Sequence, residues 1–333
     1  MPKRALNIGI TAGDPAGIGP EVSLKAINSI RDDAVIPILF CRKAVLETLY
    51  PDIFHGYISI DLNTSGAASA LEPGKKYLYD ISPDIPLPVP GRGSAETGRE
   101  SREYIDRAIK AWRQGAIDAI VTGPVSKGYI EKSGVHFTGH TEYLAEKIGE
   151  SGPLMMMFSP RYRVLLATTH MPLARVTGAI DEERLLFVMR AGYEGIRSID
   201  GDGVMIAVTG LDPHCGDNGA IGSFDREITR RGIERARAEG LPVEGPFAAD
   251  TLFIPAVWER YNLVIALYHD QGLIPFKMLA FDHGVNVTLG LSLVRTSVDH
   301  GTAYDIAGKN AAGFTSMVEA IMLAKKLAER KPR

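Results

Sequence analysis

Three of the eight histidines share a placement. His170 follows Val164-Leu-Leu-Ala-Thr-Thr, His214 follows Val204-Met-Ile-Ala-Val-Thr-Gly-Leu-Asp-Pro, and His269 follows Leu263-Val-Ile-Ala-Leu-Tyr. Each preceding run is short, aliphatic and bounded by polar or turn residues, which predicts a buried strand with the histidine just past its end. If those strands are parallel in one sheet, all three imidazoles emerge at its carboxyl edge, where they can converge on one divalent ion. Three protein ligands with an open position is the pattern of a reactive metal centre. Placement alone also fits three loop histidines bonded to backbone carbonyls, because no HExxH-type spacing ties them together.

Acids and cations gather in the neighbouring segments. Asp250 stands in Gly245-Pro-Phe-Ala-Ala-Asp-Thr, Asp270 in His269-Asp-Gln-Gly, and Asp299-His300 in Arg295-Thr-Ser-Val-Asp-His-Gly. Any of these aspartates can serve chemistry or merely cap a helix or close a turn. Lys277, Asn286 and Arg295, with His140-Thr141 earlier in the chain, form a cationic and amidic set. A lysine point charge and an arginine fork suit a phosphate or carboxylate on a small substrate. Thr141 reads equally as an N-cap, with Glu142 in the first turn, and a helix N-terminus itself attracts anions. The chain contains no GxGxxG, no Walker loop and no GxSxG, which disfavours a Rossmann-type dinucleotide site and a serine-hydrolase elbow.

The elements that must position these residues alternate. Short apolar runs at 6–10, 36–40, 119–121, 154–158, 164–167, 204–208, 263–267 and 285–289 predict strands; amphipathic stretches at 21–30, 97–112, 141–148, 225–238 and 316–328 predict helices. Strand then helix, repeated, predicts a largely parallel sheet covered by helices, with ligands at the strand ends. The proline-rich segment 80–93 reads as a surface excursion. A length of 333 residues fits two domains or one large α/β unit. With 45% hydrophobic and 23% charged residues, neither a disordered nor a fibrous chain is expected. Lys plus Arg total 37 against 40 Asp plus Glu, so there is no basic excess to hold a nucleic acid. Two cysteines make no disulfide framework, which points to a reducing cytoplasm. No apolar run approaches the ~18 residues of a membrane span.

The stretches Gly13-Asp-Pro-Ala-Gly-Ile-Gly-Pro-Glu, Gly139-His-Thr-Glu, Asp212-Pro-His-Cys-Gly-Asp-Asn-Gly, Ala249-Asp-Thr-Leu-Phe, Tyr268-His-Asp-Gln-Gly, Gly284-Val-Asn-Val-Thr-Leu-Gly-Leu and Arg295-Thr-Ser-Val-Asp-His-Gly-Thr-Ala resemble the 4-hydroxythreonine-4-phosphate dehydrogenase family of pyridoxal phosphate biosynthesis. The likeness runs in order along almost the whole chain. It implies a two-domain α/β/α fold similar to isocitrate and isopropylmalate dehydrogenases, which bind a dinucleotide without the Rossmann fingerprint. Residues 1–125 with 291–333 would form one domain and 126–290 the other, with the active site in the cleft between them.

The implied reaction is NAD- or NADP-dependent oxidation of 4-phosphooxy-L-threonine at C3, with decarboxylation to 3-amino-2-oxopropyl phosphate, in pyridoxine 5'-phosphate biosynthesis. The resemblance places a divalent ion (zinc, magnesium or cobalt) on His170, His214 and His269. It places substrate on His140, Thr141, Lys277, Asn286 and Arg295, and leaves Lys277 or Asp250 to accept the hydroxyl proton. Family members are homodimers whose active sites draw on both subunits. Paralogues with similar motifs act on D-threonate or D-erythronate 4-phosphate, or on ring dihydrodiols. Cys215, Asn218 and Ser292 depart from the usual pattern, where Ala, Gly and Pro are common, and they bear on the exact substrate.

Overall fold

Short apolar runs cannot bury a helix face, and in the computed structural model, which describes residues 4–64, 66–280 and 283–330, they form strands, beside others of mixed or polar sequence. In chain order these are β1 (Leu6–Thr11), β2 (Val35–Cys41), β3 (Tyr57–Ser59), β4 (Lys76–Asp80), β5 (Ala119–Thr122) and β6 (Leu154–Phe158). Then come β7 (Arg163–Leu166), β8 (Ile206–Thr209), β9 (Val243–Phe247), β10 (Leu263–Ala266), β11 (Val285–Leu289) and β12 (Arg295–Val298). The chain divides into two units, Met1–Pro153 with Leu291–Arg333, and Leu154–Gly290.

In the first unit the strand order is β3-β4-β2-β1-β5-β12, parallel throughout. Every residue of β1 and β2 is buried, as a parallel sheet covered on both faces requires. The helix Ala95–Arg113 starts at Ser94, whose hydroxyl accepts from the Thr97 N–H while Thr97 Oγ1 accepts from the Ser94 N–H. That reciprocal cap fixes where the helix begins. After β1, Gly13 turns at φ 76°, and a Cβ there would meet the Pro124 carbonyl oxygen at 2.3 Å, so only glycine fits. The buried Asp14 beside it accepts from the Ala16 N–H, from Thr97 Oγ1 and from the Tyr304 hydroxyl.

In the second unit the order is β11-β6-β7-β10-β8-β9. β7, β10, β8 and β9 run parallel, whereas β6 and β11 are antiparallel to their neighbours. The reversal has a local cause: Ser159 and Tyr162 bond to each other across a four-residue turn, far too short for a parallel crossover. Val164, Leu166, Val264, Ala266, Trp258 and Phe276 share the core.

The expected domain boundary near 125 falls instead at 153. Helices Lys127–Lys132 and His140–Ile148 pack on Ala95–Arg113, where Tyr143 donates to Asp106 at 2.5 Å and Gly98 lies against the Tyr129 backbone. Residues 126–153 therefore belong with the first unit. Among the described residues no helix is long and apolar enough to cross a membrane.

Candidate functional site

β7, β10 and β8 are adjacent and parallel, so the segments carrying His170, His269 and His214 leave the second unit's sheet at one edge. The His170 and His269 rings lie 5.5 Å apart between centroids. They line a cavity of about 420 Å³ with Thr169, Met171, Tyr268 and Asp270. His269 Nδ1 is 2.7 Å from Asp270 Oδ1. A carboxylate only accepts, so Nδ1 carries the proton and Nε2 keeps its lone pair for a ligand. Two imidazoles this close, one already oriented by a carboxylate, fit the nitrogen donor set of a divalent ion.

His214 stands apart. It sits in the turn Pro213–Gly219, where His214, Cys215, Asp217 and Asn218 have φ of 53°, 54°, 42° and 54°. Left-handed backbone costs an L-residue roughly 1–2 kcal/mol, and such strain collects at functional sites. Asp225 holds the turn: its carboxylate, 1% exposed, accepts from the Leu211 N–H at 2.9 Å, the Asp212 N–H at 2.9 Å and the Thr229 hydroxyl at 2.7 Å. Among the described residues no group of three or more His, Cys, Asp or Glu side chains is placed to hold one ion within a single chain. The structure thus pairs His170 with His269 and leaves His214 on the same edge but outside the pair. Burial and Asp225 raise the Cys215 thiol, so it is not poised as a nucleophile.

The other predicted residues of this unit are spread along its elements. Lys277 is half-buried on the helix His269–Ala280, the helix that His269 begins. Asn286 is half-buried on β11, and Asp250 is exposed on the short helix Ala249–Leu252.

The first unit brings His140, Thr141 and Arg295 together. Arg295 opens β12, is 3% exposed, and donates through Nη2 and Nε to Thr122 Oγ1 at 2.8 and 3.2 Å. Its Nη1 is 3.5 Å from Thr141 Oγ1. Burial pulls the guanidinium down to about 9, against the support of Glu142. His140 packs edge-on against Phe137, and its buried Nε2 has no hydrogen-bond partner. Burial, then the charges of Arg295 and Lys127, hold its pKa well below the ordinary 6.5. A neutral imidazole, a hydroxyl at a helix start and a buried guanidinium are suited to an oxyanion.

This imidazole has a measurable consequence. Because His140 is kept neutral when folded, the unfolded chain binds the extra proton below about pH 6.5, and stability falls as pH drops through that value. In His140→Gln that acid-side decline should flatten by as much as one proton of uptake, read from urea unfolding at a series of pH values. An unchanged pH slope would show that His140 titrates normally.

Sequence reasoning misses Thr122, Asp225 and Gln271. Gln271 lies inside the Tyr268-His-Asp-Gln-Gly stretch, whereas Thr122 and Asp225 give no signal, since their roles come from strand pairing and loop closure. At the departure Ser292, the backbone N–H and the hydroxyl both donate to Glu150. Proline would lose the first of these bonds.

Comparison with known proteins gives this geometry its context. The chain is 38% identical over 330 residues to a 4-hydroxythreonine-4-phosphate dehydrogenase of Desulforapulum autotrophicum, covering 95% of this chain and 94% of that one. It is 36% identical to a D-threonate 4-phosphate dehydrogenase of Bordetella bronchiseptica, covering 98% and 94%. A crystal structure of 4-hydroxythreonine-4-phosphate dehydrogenase from Klebsiella pneumoniae superposes with a TM-score of 0.85 at 32% identity, covering 99% of this chain and all of that one. A β-decarboxylating dehydrogenase of Thermococcus kodakarensis, 16% identical with a TM-score of 0.51 over 96% of this chain and 81% of its own, shares the fold. Relatives named dehydrogenases match it along its whole length at more than 30% identity, and the protein is an oxidoreductase. It belongs to the family of the pyridoxal phosphate biosynthetic protein PdxA, whose family model matches residues 33–324.

Proposed function

We propose that the protein oxidises 4-phosphooxy-L-threonine at C3 with NAD or NADP and decarboxylates the resulting β-keto acid to 3-amino-2-oxopropyl phosphate, in pyridoxine 5'-phosphate biosynthesis. The observation that carries this reading is the His170–His269 pair on the carboxyl edge, with Asp270 orienting one ring, in a chain similar along its length to dehydrogenases of that name. When bound, a divalent ion (zinc, magnesium or cobalt) would supply Lewis acidity to the alcohol and the later ketone, and the dinucleotide would supply the hydride acceptor.

The chain's own residues do the rest. His170 and His269 present imidazole nitrogens to the cation, and Asp270 keeps the proton on His269 Nδ1. Arg295, Thr141 and the neutral His140 hold the phosphate, and Asn286 hydrogen-bonds the substrate. Lys277 takes the hydroxyl proton through Nζ, with Asp250 as the competing acceptor. A pH profile of the chemical step separates them: Lys277→Ala should lose the acidic limb, while Asp250→Asn should keep it. The reverse pattern would transfer the role to Asp250.

Arg295→Lys should weaken substrate binding by one charge-assisted hydrogen bond, about 1.5–3 kcal/mol, because an ammonium cannot reproduce the fork. The check is KM for the phosphorylated substrate with KM for the dinucleotide as internal control. Equal substrate affinity in both proteins would make the arginine a structural residue of β12.

The homodimer belongs to the same reading. Met171 and Leu173, beside His170, and Ile274, Met278 and Leu279, on the helix that starts at His269, are exposed, Met278 at 79%. An apolar surface around the His170–His269 pair suits a second copy. Light scattering in solution tests the dimer.

A D-threonate or D-erythronate 4-phosphate substrate is the second reading, the first of them named for the Bordetella relative. Turnover of 4-phosphooxy-L-threonine against D-threonate and D-erythronate 4-phosphates, followed by reduced nicotinamide, decides between them. A higher kcat/KM for either sugar-acid phosphate would replace the first reading.

A further inference from the structure

In the motif Tyr268-His-Asp-Gln-Gly, the proposed chemistry gives no part to Gln271. Gln271 lies in the first turn of the helix that begins at His269. Its Oε1 accepts from the Leu267 N–H and from Thr209 Oγ1, each at 2.7 Å, and its Nε2 donates to the Gly210 carbonyl at 2.7 Å. Thr209 and Gly210 end β8 and open the segment to His214, whereas Leu267 follows β10 two positions before His269. On the other side, Thr168 Oγ1 donates to the Leu267 carbonyl at 2.7 Å, two positions before His170. A belt of hydrogen bonds therefore crosses the three strand ends that carry histidines, beyond the paired backbone of the sheet, and one carboxamide closes the gap between β10 and β8.

We propose that Gln271 is a positioning residue that sets the spacing of the strand ends bearing His214 and His269, and thereby the affinity of the histidines for a divalent cation. The inference rests on the reading of those histidines as metal ligands. The chemistry selects the side chain: only a carboxamide of this length offers an oxygen with two acceptor positions and an N–H donor to a carbonyl at once. A glutamate would set an oxygen against the Gly210 carbonyl, and an apolar side chain would leave the Leu267 N–H unserved. Partners that orient metal ligands typically govern affinity strongly without touching the ion.

The test titrates the metal-free full-length protein with cobalt(II), following the visible bands of the bound ion, for wild type, Gln271→Met, Gln271→Asn, His170→Ala and His269→Ala. Gln271→Met should weaken cobalt binding by roughly 10- to 100-fold. Gln271→Asn, which keeps the amide but shortens its reach, should weaken it in the same direction, and it decides the matter if the methionine variant does not fold. A purely structural glutamine would lower the melting temperature of the metal-free protein and leave cobalt affinity at the wild-type value, which overturns the proposal. If cobalt bands persist in His170→Ala and His269→Ala, the metal reading itself falls. If those variants lose cobalt while both Gln271 variants bind like wild type, only the role of Gln271 falls.

Discussion

Under the proposed metal-dependent reading, replacing His269 by alanine should lower kcat/KM by about 10³-fold or more, because the Lewis acidity that a divalent ion held there would supply is worth several kcal/mol. The side chain meets His170 across a ring separation of 5.5 Å and has its own Nδ1 anchored on Asp270, so no neighbour can take its place. Metal content measured on the purified variant should drop with activity. Its folding should hardly change, since the imidazole is about a third exposed and fills no core. His170→Ala should give the same phenotype, and the double variant should lose little more, as expected for two parts of one unit. Full activity of either single variant after chelator treatment would remove the metal from the proposed chemistry.

The second large effect falls on stability. Asp225→Ala strips the acceptor from the part-buried Leu211 and Asp212 N–H groups and from the buried Thr229 hydroxyl. Each buried donor left unsatisfied costs about 1–3 kcal/mol, so a loss of about 2–5 kcal/mol is expected in urea unfolding. The left-handed turn through His214 loses its main restraint at the same time, and activity should fall with it. Asp225→Asn should sit between the two, because its amide nitrogen would face N–H donors. An alanine variant as stable as wild type would mean that the turn holds itself.

The strand-edge placement of the histidines is legible in the sequence because aliphatic runs such as Val164-Leu-Leu-Ala and Leu263-Val-Ile-Ala have the composition and length of buried parallel strands. β9, whose Val-Glu-Gly-Pro-Phe puts three residues disfavoured in strands at its centre, and β12, whose Arg-Thr-Ser-Val is mostly polar, carry no such mark. Those strands owe their state to neighbours already in place. The helix Glu182–Asp200 also lies outside the predicted elements, although Leu185, Met189, Gly192 and Ile196 repeat on its buried face and Asp181 caps its start. At the site, residue types announce the ligands and the anion cluster. The carboxamide of Gln271 and the carboxylate of Asp225 act through loop closure between distant segments, which leaves no periodic trace.

The division of the chain also orders events during synthesis. Leu154–Gly290 is one continuous stretch, so the second unit can assemble as soon as it has cleared the ribosome. The first unit cannot. Its strand β5 pairs with β12, and β12 and the helix Thr315–Glu329 are made only after the whole second unit. Until then the nascent chain carries β5 with one side unpaired and the apolar surface awaiting that helix uncovered, the kind of edge that recruits other chains. A ribosome stalled between residues 154 and 290 should therefore display a first-unit sheet still lacking β12, and it is that intermediate, not the finished enzyme, which a chaperone would be called on to shield.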